Sequence, residues 1–252
     1  MEQTQFDVAK THIRLERKCG FYELYIKRLI DIVCSVAAIV AFGWLYVVVA
    51  VLVRVKLGSP VLFKQPRPGK IDPRTGCEKI FYMYKFRSMS DERDENGNLL
   101  PDEVRLGKFG KVLRSTSLDE LPEVFNIVRG EMTLVGPRPQ LVRDLVFMTD
   151  EQRMRHTAKP GLSGLAQVNG RNDISWEEKL SWDLKYIEKV SFFGDVKIIF
   201  QTVMKAFIRQ EGITDGDMAT AYDYGDWLLK EGKVTKEEYL GKQEEAKKLL
   251  KE

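Results

Sequence analysis

Leu29 to Val53 reads LIDIVCSVAAIVAFGWLYVVVAVLV, a run of 25 residues in which Asp31 is the one charged side chain. A helix rises about 1.5 Å per residue, and about 20 apolar residues are enough to cross a bilayer. A core helix is seldom apolar on every face over this distance. A signal peptide has a shorter apolar region and a small-residue cleavage site, whereas Arg54 and Lys56 follow here. The stretch therefore predicts a membrane-embedded helix.

Basic residues flank this apolar segment on both sides. They are Arg14, Arg17, Lys18, Lys27 and Arg28 before it, and Arg54, Lys56, Lys64, Arg67 and Lys70 after it. Because cytoplasmic flanks usually carry the excess of Lys and Arg, a helix that crosses once breaks this rule at one end. A re-entrant segment obeys it at both ends, and Gly43 near the middle offers a place for the bend. From the residues alone, both topologies remain open.

The overall composition excludes several classes of protein. With 44% hydrophobic and 31% charged residues among 252, the chain is not disordered. Its 40 Lys plus Arg nearly balance 37 Asp plus Glu, so no nucleic-acid partner is expected. Three cysteines without a C-x-x-C motif and two histidines exclude a disulfide framework, a zinc ribbon and a histidine-rich metal site. A mean hydropathy of −0.28 is typical of a soluble protein, but this average hides the apolar segment.

Local patterns predict short elements after the apolar helix. A strand is expected at 61–63, a chain break at Pro66–Gly69 and a second strand at 79–89, on which Phe81, Met83, Lys85 and Arg87 share a face. Helices are expected at 103–113, 118–129, 140–155, 175–190 and 192–207, with an irregular Gly-rich stretch at 159–171. Residues 212–252 carry 7 Lys plus Arg and 10 Asp plus Glu, and they predict a solvated pair of short helices joined near residues 232–235. Trp176 is expected to be a core or interface anchor.

The predicted fold class is α+β and mostly helical. It combines an N-terminal re-entrant membrane helix with a small cytosolic catalytic domain that contains a short β-hairpin and amphipathic interfacial helices. The expected domains are a juxtamembrane lead-in at 1–24, the membrane helix at 25–58, the catalytic domain at 59–211 and an acidic helical tail at 212–252. The body without the tail is basic, which suits an anionic membrane surface or phosphorylated substrates.

Arg114 to Glu131, RSTSLDELPEVFNIVRGE, holds the densest cluster of reactive side chains. One interpretation is a helix start, in which Ser117 and Glu120 form a capping box or Asp119 is itself the cap. In the other, free amide groups at this helix start bind phosphate, and Asp119 attacks phosphorus to form an acyl phosphate. Glu120 and Asp119 are then candidate Mg²⁺ ligands.

Phosphoryl transfer depends on charge neutralisation, so this second interpretation requires cations around the phosphates. The candidates are Arg114, Arg138, Arg171, Lys85 and Arg87. The sequence has neither a Walker loop nor a G-x-G-x-x-G motif, so a nucleotide is bound without either fingerprint.

A series of motifs in one order resembles the bacterial sugar transferase family, the monotopic polyprenyl-phosphate phosphoglycosyl transferases. The motifs are Lys27-Arg28-x-x-Asp31, Gly58-Ser59-Pro60-Val61, Gln65-x-Arg67-Pro68-Gly69, Tyr84-Lys85-Phe86-Arg87-Ser88-Met89, Arg114-x-x-Ser117-Leu118-Asp119-Glu120-Leu121-Pro122, Leu134-Val135-Gly136-Pro137-Arg138-Pro139, Lys159-Pro160-Gly161-Leu162-Ser163-Gly164 and Gln167-Val168-Asn169-Gly170-Arg171. The resemblance covers about residues 22–210. Many members carry a Ser-Pro pair in the membrane helix where this chain has Gly43-Trp44.

The resemblance implies transfer of a sugar-1-phosphate from a UDP-sugar to undecaprenyl phosphate, with release of UMP. It implies that Asp119 is the nucleophile of a covalent intermediate, that Glu120 is associated with Mg²⁺, and that the membrane segment is re-entrant. It also maps functional positions of the family onto Lys85, Arg138 and Asp183. The expected location is the bacterial inner membrane, with the catalytic domain facing the cytoplasm.

Two alternatives remain beside this two-step mechanism. One is direct displacement with Asp119 as a metal ligand, and the other is a catalytically silent membrane scaffold for glycosyltransferases. The expected partners are the UDP-sugar, undecaprenyl phosphate and membrane lipid. A second copy of the chain or a glycosyltransferase partner is left open.

Overall fold

A long apolar helix precedes a body of short helices and strands, in a computed structural model that describes residues 17–170, 174–207 and 222–249. The helix begins with a π-helical turn over Tyr22–Ile26 and continues as α1 over Lys27–Leu57. These 36 residues are long and apolar enough to cross a membrane. The helical backbone continues through Gly43 without interruption, so the fold does not confirm the re-entrant topology, which stays a prediction.

The surface of α1 divides into an outward apolar side and two ends that contact the body. Val40 and Trp44 are 80% and 65% exposed, as expected for side chains that face lipid. Asp31 near the start and Val53 near the end are buried against the body. The helix is therefore held at both ends, while its middle is free to meet a membrane.

The predicted β-hairpin is present, with β1 over Leu62–Ile71 paired antiparallel to β2 over Glu78–Phe86. The expected break at Pro66–Gly69 is wrong, because β1 continues through both prolines. Pro66 and Pro68 are two residues apart and so face the same edge of the strand. In a two-stranded sheet, the outer edge of each strand has no neighbouring strand to bond with. A proline whose missing N–H would point to that outer edge is therefore tolerated.

The segment from 102 to 135 folds into more and shorter elements than its pattern predicts. They are α2 over Asp102–Arg105, α3 over Lys108–Ser115, a 3₁₀ turn over Leu118–Glu120, α4 over Glu123–Arg129 and β3 over Thr133–Val135. Ser117 has a φ of 55° and its side chain caps no helix, so the capping-box prediction is wrong. The alternative with Asp119 as the cap is also wrong, because Asp119 lies inside the 3₁₀ turn and Pro122 precedes α4.

The single helix expected at 140–155 is wrong as well. The structure has α5 over Val142–Leu145, α6 over Asp150–Arg153, a 3₁₀ turn over Met154–Thr157, β4 over Gly161–Ser163 and α7 over Leu165–Asn169. Thr149 accepts a hydrogen bond from Gln152 N and so starts a new helix in mid-pattern. The Gly-rich stretch supplies β4, which pairs in parallel with β3. A Cβ at Gly161 would lie 2.1 Å from Gly136 N, so this pairing needs glycine.

Two further predicted helices are confirmed, α8 over Trp176–Glu188 and α9 over Phe192–Phe207. On α9, Phe193 and Phe200 are 82% and 62% exposed, whereas Ile198 is buried. The helix is therefore amphipathic, as expected for an interfacial helix.

The tail forms the predicted helix pair, α10 over Tyr224–Lys230 and α11 over Lys236–Leu249. The expectation that this pair is solvated is wrong, because one face of it belongs to a hydrophobic core. That core joins Tyr224, Leu228, Ala246 and Leu249 of the pair to Val142, Leu145, Val146, Phe147, Met148, Trp176 and Leu180. Trp176 is a core residue, as predicted.

Candidate active site

Lys85 extends from β2 to the first turn of α4. Side chains alternate along a strand, so Lys85 shares a face with Phe81 and Met83, both of which are buried. The Lys85 ammonium lies 2.8 Å from Glu120 Oε1 and 3.1 Å from Glu123 Oε1. Burial lowers the pKa of Lys85, but the two carboxylates outweigh it and the net pKa is raised. Lys85 therefore stays charged between two acids.

Arg138 reaches the same carboxylate from the turn after β3. Its Nη2 donates a hydrogen bond to Glu120 Oε1 at 2.5 Å. Burial raises the pKa of Glu120, but the charges of Arg138 and Lys85 lower it by more, to well below its ordinary value. Glu120 is therefore ionised and anchored through Oε1 alone, which leaves Oε2 outside these ion pairs.

Asp119 lies beside this cluster and is 7% exposed. Burial raises its pKa, while Lys85, Arg114 and Arg138 oppose that shift. Among the residues that the structure describes, its carboxylate has no hydrogen-bond partner. A carboxylate that is set among cations and accepts no hydrogen bond from the described residues has lone pairs free for an electrophile.

Arg114 approaches Asp119 from the end of α3. Its Nε donates a hydrogen bond to Ser88 Oγ at 2.9 Å, which holds the guanidinium beside the end of β2. Burial lowers the pKa of Arg114, and the charge of Asp119 partly restores it. The structure thus brings together Asp119, Glu120, Lys85, Arg114 and Arg138.

Arg87 does not join this cluster. It is buried behind the end of α1, where Nη2 donates to Leu57 O and Nη1 donates to Ser59 O at 3.2 Å. Its Nη1 also donates to Asp91 Oδ2. Arg87 therefore ties β2 to the carboxyl end of the apolar helix.

Asp183 is linked to the cluster indirectly. Its carboxylate on α8 is 1% exposed and accepts hydrogen bonds from Arg155 Nε at 2.9 Å and Nη2 at 2.6 Å. Arg155 Nη2 also donates to the backbone carbonyl of Arg138 at 2.5 Å. Asp183 is thus connected to the backbone of Arg138 through Arg155 and does not itself join the cluster. The predicted phosphate ligand Arg171 lies outside the described residues.

Comparison with known proteins identifies the family. A family model described as bacterial sugar transferase matches residues 22–209, which include α1, the hairpin and every member of the cluster. The chain belongs to the bacterial sugar transferase family. It is therefore a transferase enzyme, as its motifs predict, and the pair α10–α11 lies outside the matched region.

Three relatives illustrate the range of this sugar transferase family. "Uncharacterized sugar transferase EpsL" of Bacillus subtilis (strain 168) is 46% identical over 198 residues, 79% of this chain and 95% of the relative. "Exopolysaccharide production protein ExoY" of Rhizobium meliloti (strain 1021) is 32% identical over 194 residues, 70% of this chain and 83% of the relative. UDP-glucose:undecaprenyl-phosphate glucose-1-phosphate transferase of Klebsiella pneumoniae is 38% identical over 194 residues, 73% of this chain but 40% of that longer relative.

Glu123 is a member of the candidate site that the sequence-based prediction does not include. It is 1% exposed, and its Oε1 has no hydrogen-bond partner in the described structure although Lys85 is close. Burial raises its pKa, and Lys85 opposes that shift. The available signal was spacing, since Glu123 follows Glu120 by three residues and so lies on the same side of a helical turn.

Arg67 is a second residue of this region that the sequence-based prediction does not place at the site. It donates from Nη1 to Pro139 O at 3.2 Å, next to Arg138. Burial and the neighbouring charge of Arg138 lower the pKa of Arg67 to about 10. No local signal predicts this position of Arg67, because it requires β1 to continue through two prolines.

The donor set of the transferase fits Mg²⁺ only together with substrate phosphates. Within the described ranges, no group of three or more His, Cys, Asp or Glu side chains is arranged to hold a metal ion. Mg²⁺ is commonly bound by one or two carboxylates plus phosphate oxygens and water. The partner-free Asp119 and the free Oε2 of Glu120 meet that requirement.

Proposed function

We propose that this chain transfers a sugar-1-phosphate from a UDP-sugar to undecaprenyl phosphate, giving undecaprenyl-diphosphate-sugar and UMP, as the first membrane step of a surface glycan. The names of its relatives support this class of reaction. One is a glucose-1-phosphate transferase and another an undecaprenyl-phosphate galactose phosphotransferase of Salmonella typhimurium, 34% identical. Because their sugars differ, the proposal assigns no sugar.

The observation that carries the proposal is the partner-free carboxylate of Asp119 within a ring of cations. In the first step, an Asp119 oxygen attacks the β-phosphorus of the UDP-sugar. The phosphoanhydride bond breaks, its electron pair leaves with UMP, and an aspartyl phospho-sugar remains. In the second step, an oxygen of undecaprenyl phosphate attacks the same phosphorus and releases the Asp119 carboxylate.

The surrounding charges stabilise the transferring phosphoryl group. Lys85 and Arg138 are held in place by Glu120, and Arg114 is held by Ser88. Such fixed cations cost no reorganisation during reaction. Mg²⁺, bound by Asp119 or Glu120 with substrate phosphates, would add charge neutralisation. The use of Mg²⁺ is therefore part of the proposed function.

We also propose that α1 is re-entrant, with both ends on the cytoplasmic face of the inner membrane. Arg28 donates to two carbonyls in the last turn of α4, and Tyr46 donates to Leu121 O just before α4. About 27 Å of helix separates Arg28 from Tyr46, less than the ~30 Å hydrocarbon core. Because both contacts are to one short segment, residues 121–128, a straight crossing of the bilayer would draw that segment into the hydrocarbon core.

A panel of UDP-sugars, each mixed with undecaprenyl phosphate and purified enzyme, tests the reaction by release of UMP. One or a few UDP-sugars should give turnover, and Asp119→Asn should reduce it at least about 10³-fold. The exposed-loop variant Asp94→Asn is the matched control and should keep wild-type turnover. If no UDP-sugar releases UMP, or if Asp119→Asn keeps turnover, the proposal is wrong.

Labelling of single cysteines with an impermeant maleimide in intact spheroplasts tests the topology. The native cysteines Cys19, Cys34 and Cys77 are first replaced by serine. Lys18→Cys and Ser59→Cys should both resist labelling until the membrane is permeabilised, and Val40→Cys should remain unlabelled in lipid. Labelling of position 18 or 59 alone from outside would establish a spanning helix.

A further inference from the structure

A cavity of about 60 Å³ lies at the N-terminal end of α1, outside the catalytic cluster. Its charged lining consists of Glu23, Lys27, Arg28, Asp31, Lys70 and Lys159. The position is the end of the apolar helix, where a membrane-embedded segment meets the level of lipid headgroups.

The charges around this cavity do not balance. Glu23 is paired with Arg17, and Lys27 is paired with Asp195, so these two lining residues are neutralised. Asp31 is turned toward β3, where it accepts hydrogen bonds from the hydroxyl of Thr133 at 2.8 Å and from Leu134 N at 3.0 Å. Arg28, Lys70 and Lys159 remain as three cations against this one carboxylate.

These three cations have no acidic partner of their own. Arg28 donates hydrogen bonds from Nη1 and Nη2 to the neutral carbonyls of Ile127 and Val128, at 2.5 and 2.7 Å. Lys70 and Lys159 form no ion pair with any residue in the described part of the chain. A deficit of negative charge in an enclosed space is the electrostatic condition for binding an anion.

Arg28 and Lys159 are also close to each other. A Cβ at Gly130 would lie 3.3 Å from Arg28 Nη2 and 3.6 Å from Lys159 Nζ, so both groups lie over one backbone position. Burial lowers the pKa of Lys159, the charges of Arg28 and Lys70 lower it further, and the charge of Asp31 only partly opposes them. An anion between these groups would replace repulsion with charge-assisted hydrogen bonds.

The cavity is separate from the reaction site. Arg28 contacts the last turn of α4, whereas Glu123 and the catalytic pair lie at its first turn. The seven residues of α4 span about 10 Å. An anion in this cavity is therefore not the group that Asp119 attacks.

We propose that this cavity binds the phosphate group of an anionic membrane phospholipid, with Lys159, Lys70 and Arg28 as its ligands. Phosphate is the shared chemistry of three sources: a phospholipid, free inorganic phosphate and the polyprenyl phosphate substrate. The phospholipid is favoured because the cavity adjoins the entry of the apolar helix. This inference uses the membrane association of α1 and is independent of the reaction.

Native mass spectrometry of the full chain in detergent, with phosphatidylglycerol or phosphatidylcholine added, tests the site. Wild-type protein should retain one phosphatidylglycerol in preference to phosphatidylcholine, whose choline neutralises the phosphate. Lys159→Gln should weaken that adduct about tenfold, the size expected for losing a hydrogen bond between charged groups. Lys70→Gln should act in the same direction, and circular dichroism checks that both variants fold.

Lys56→Gln is the matched control, because it removes one exposed charge at the other end of α1. It should leave the adduct within about twofold of wild type. Equal loss in Lys56→Gln and Lys159→Gln would show general surface attraction and overturn the site. Two outcomes would overturn the phospholipid assignment. One is that the protein retains undecaprenyl phosphate, and not phosphatidylglycerol, in a manner that depends on Lys159. The other is that inorganic phosphate fully displaces the bound phosphatidylglycerol.

Discussion

The Lys85 ammonium lies 2.8 Å from Glu120 Oε1, and this ion pair joins the β-hairpin to the turn that carries Asp119. A strand and a 3₁₀ turn more than thirty residues apart in sequence thus share one part-buried contact. Arg138 completes it from a third segment. The candidate transferase site is therefore an assembly of three segments held by one carboxylate.

Lys85→Met should abolish most activity and also lower Tm, because the buried Glu123 loses its cation. Methionine keeps the apolar stem but leaves Glu120 and Glu123 without the shared cation, and it removes a charge from the phosphates. The expected loss in kcat is about 10²–10³-fold. Lys64→Met on β1, at a solvent-exposed position, is the control and should keep near wild-type UMP release. If the Lys85→Met enzyme kept the full kcat, Lys85 would not belong to the catalytic site.

Asp183→Asn should destabilise the protein because it leaves the buried Arg155 guanidinium without a counter-charge. Breaking a buried pair in this way costs about 3–5 kcal/mol. Thermal unfolding in detergent measures the loss. The double variant Arg155→Met/Asp183→Leu should recover most of the stability, since both charges are removed together. It should not recover kcat, because Arg138 O has lost the hydrogen bond from Arg155. If the double variant recovered both Tm and kcat, the Arg155–Asp183 ion pair would contribute to stability alone and not to catalysis.

Acid should destabilise the fold through Glu78. Burial raises its pKa, but hydrogen bonds from His156 and Arg153 outweigh burial and lower the pKa from 4.5 to about 2. A lowered folded-state pKa means that the stabilisation is present above pH 4.5 and is lost as pH falls toward 2. The shift corresponds to about 3 kcal/mol. Glu78→Gln should lower Tm at pH 7 and flatten its decline over that window; an unchanged slope would contradict this assignment.

Ala246→Asp should unfold the C-terminal helix pair from the body. Ala246 is 1% exposed within the core that includes Trp176 and Phe147, so an aspartate there is buried without a partner. Tm should fall by several degrees, the shift expected for a few kcal/mol in a protein of this size. Lys248→Asp, two residues away and exposed, introduces the same side chain and should have little effect. Similar Tm values for the two variants would mean that the helix pair α10–α11 does not contribute to the stability of the body.

The sequence predicted the reactive cluster better than the local backbone that builds it. Asp119, Glu120, Lys85, Arg114 and Arg138 come together as expected, because their residue types reveal their chemistry. The turn at Ser117 was missed, since a left-handed residue gives no periodic signal. Contacts between residues far apart in sequence, such as the ion pair of Lys85 with Glu120, are not predictable from local patterns either.

Two residues mark the limits of that prediction. Arg87 shares the strand pattern of Lys85, but it lies just beyond the end of β2 and turns to the carboxyl end of α1 instead of the cluster. Asp183 has the charge of a ligand and the environment of a buried ion pair. Burial and partner choice depend on tertiary packing, which no local pattern encodes.

Mass spectrometry of the enzyme mixed with UDP-sugar, in the absence of any lipid acceptor, distinguishes the covalent mechanism from direct displacement. If Asp119 is the nucleophile, UMP is released stoichiometrically and a phospho-sugar adduct maps to Asp119. The adduct should be absent in Asp119→Asn and should be discharged when undecaprenyl phosphate is added. Turnover that requires both substrates together, with no adduct at any time, would contradict the covalent mechanism and establish direct displacement.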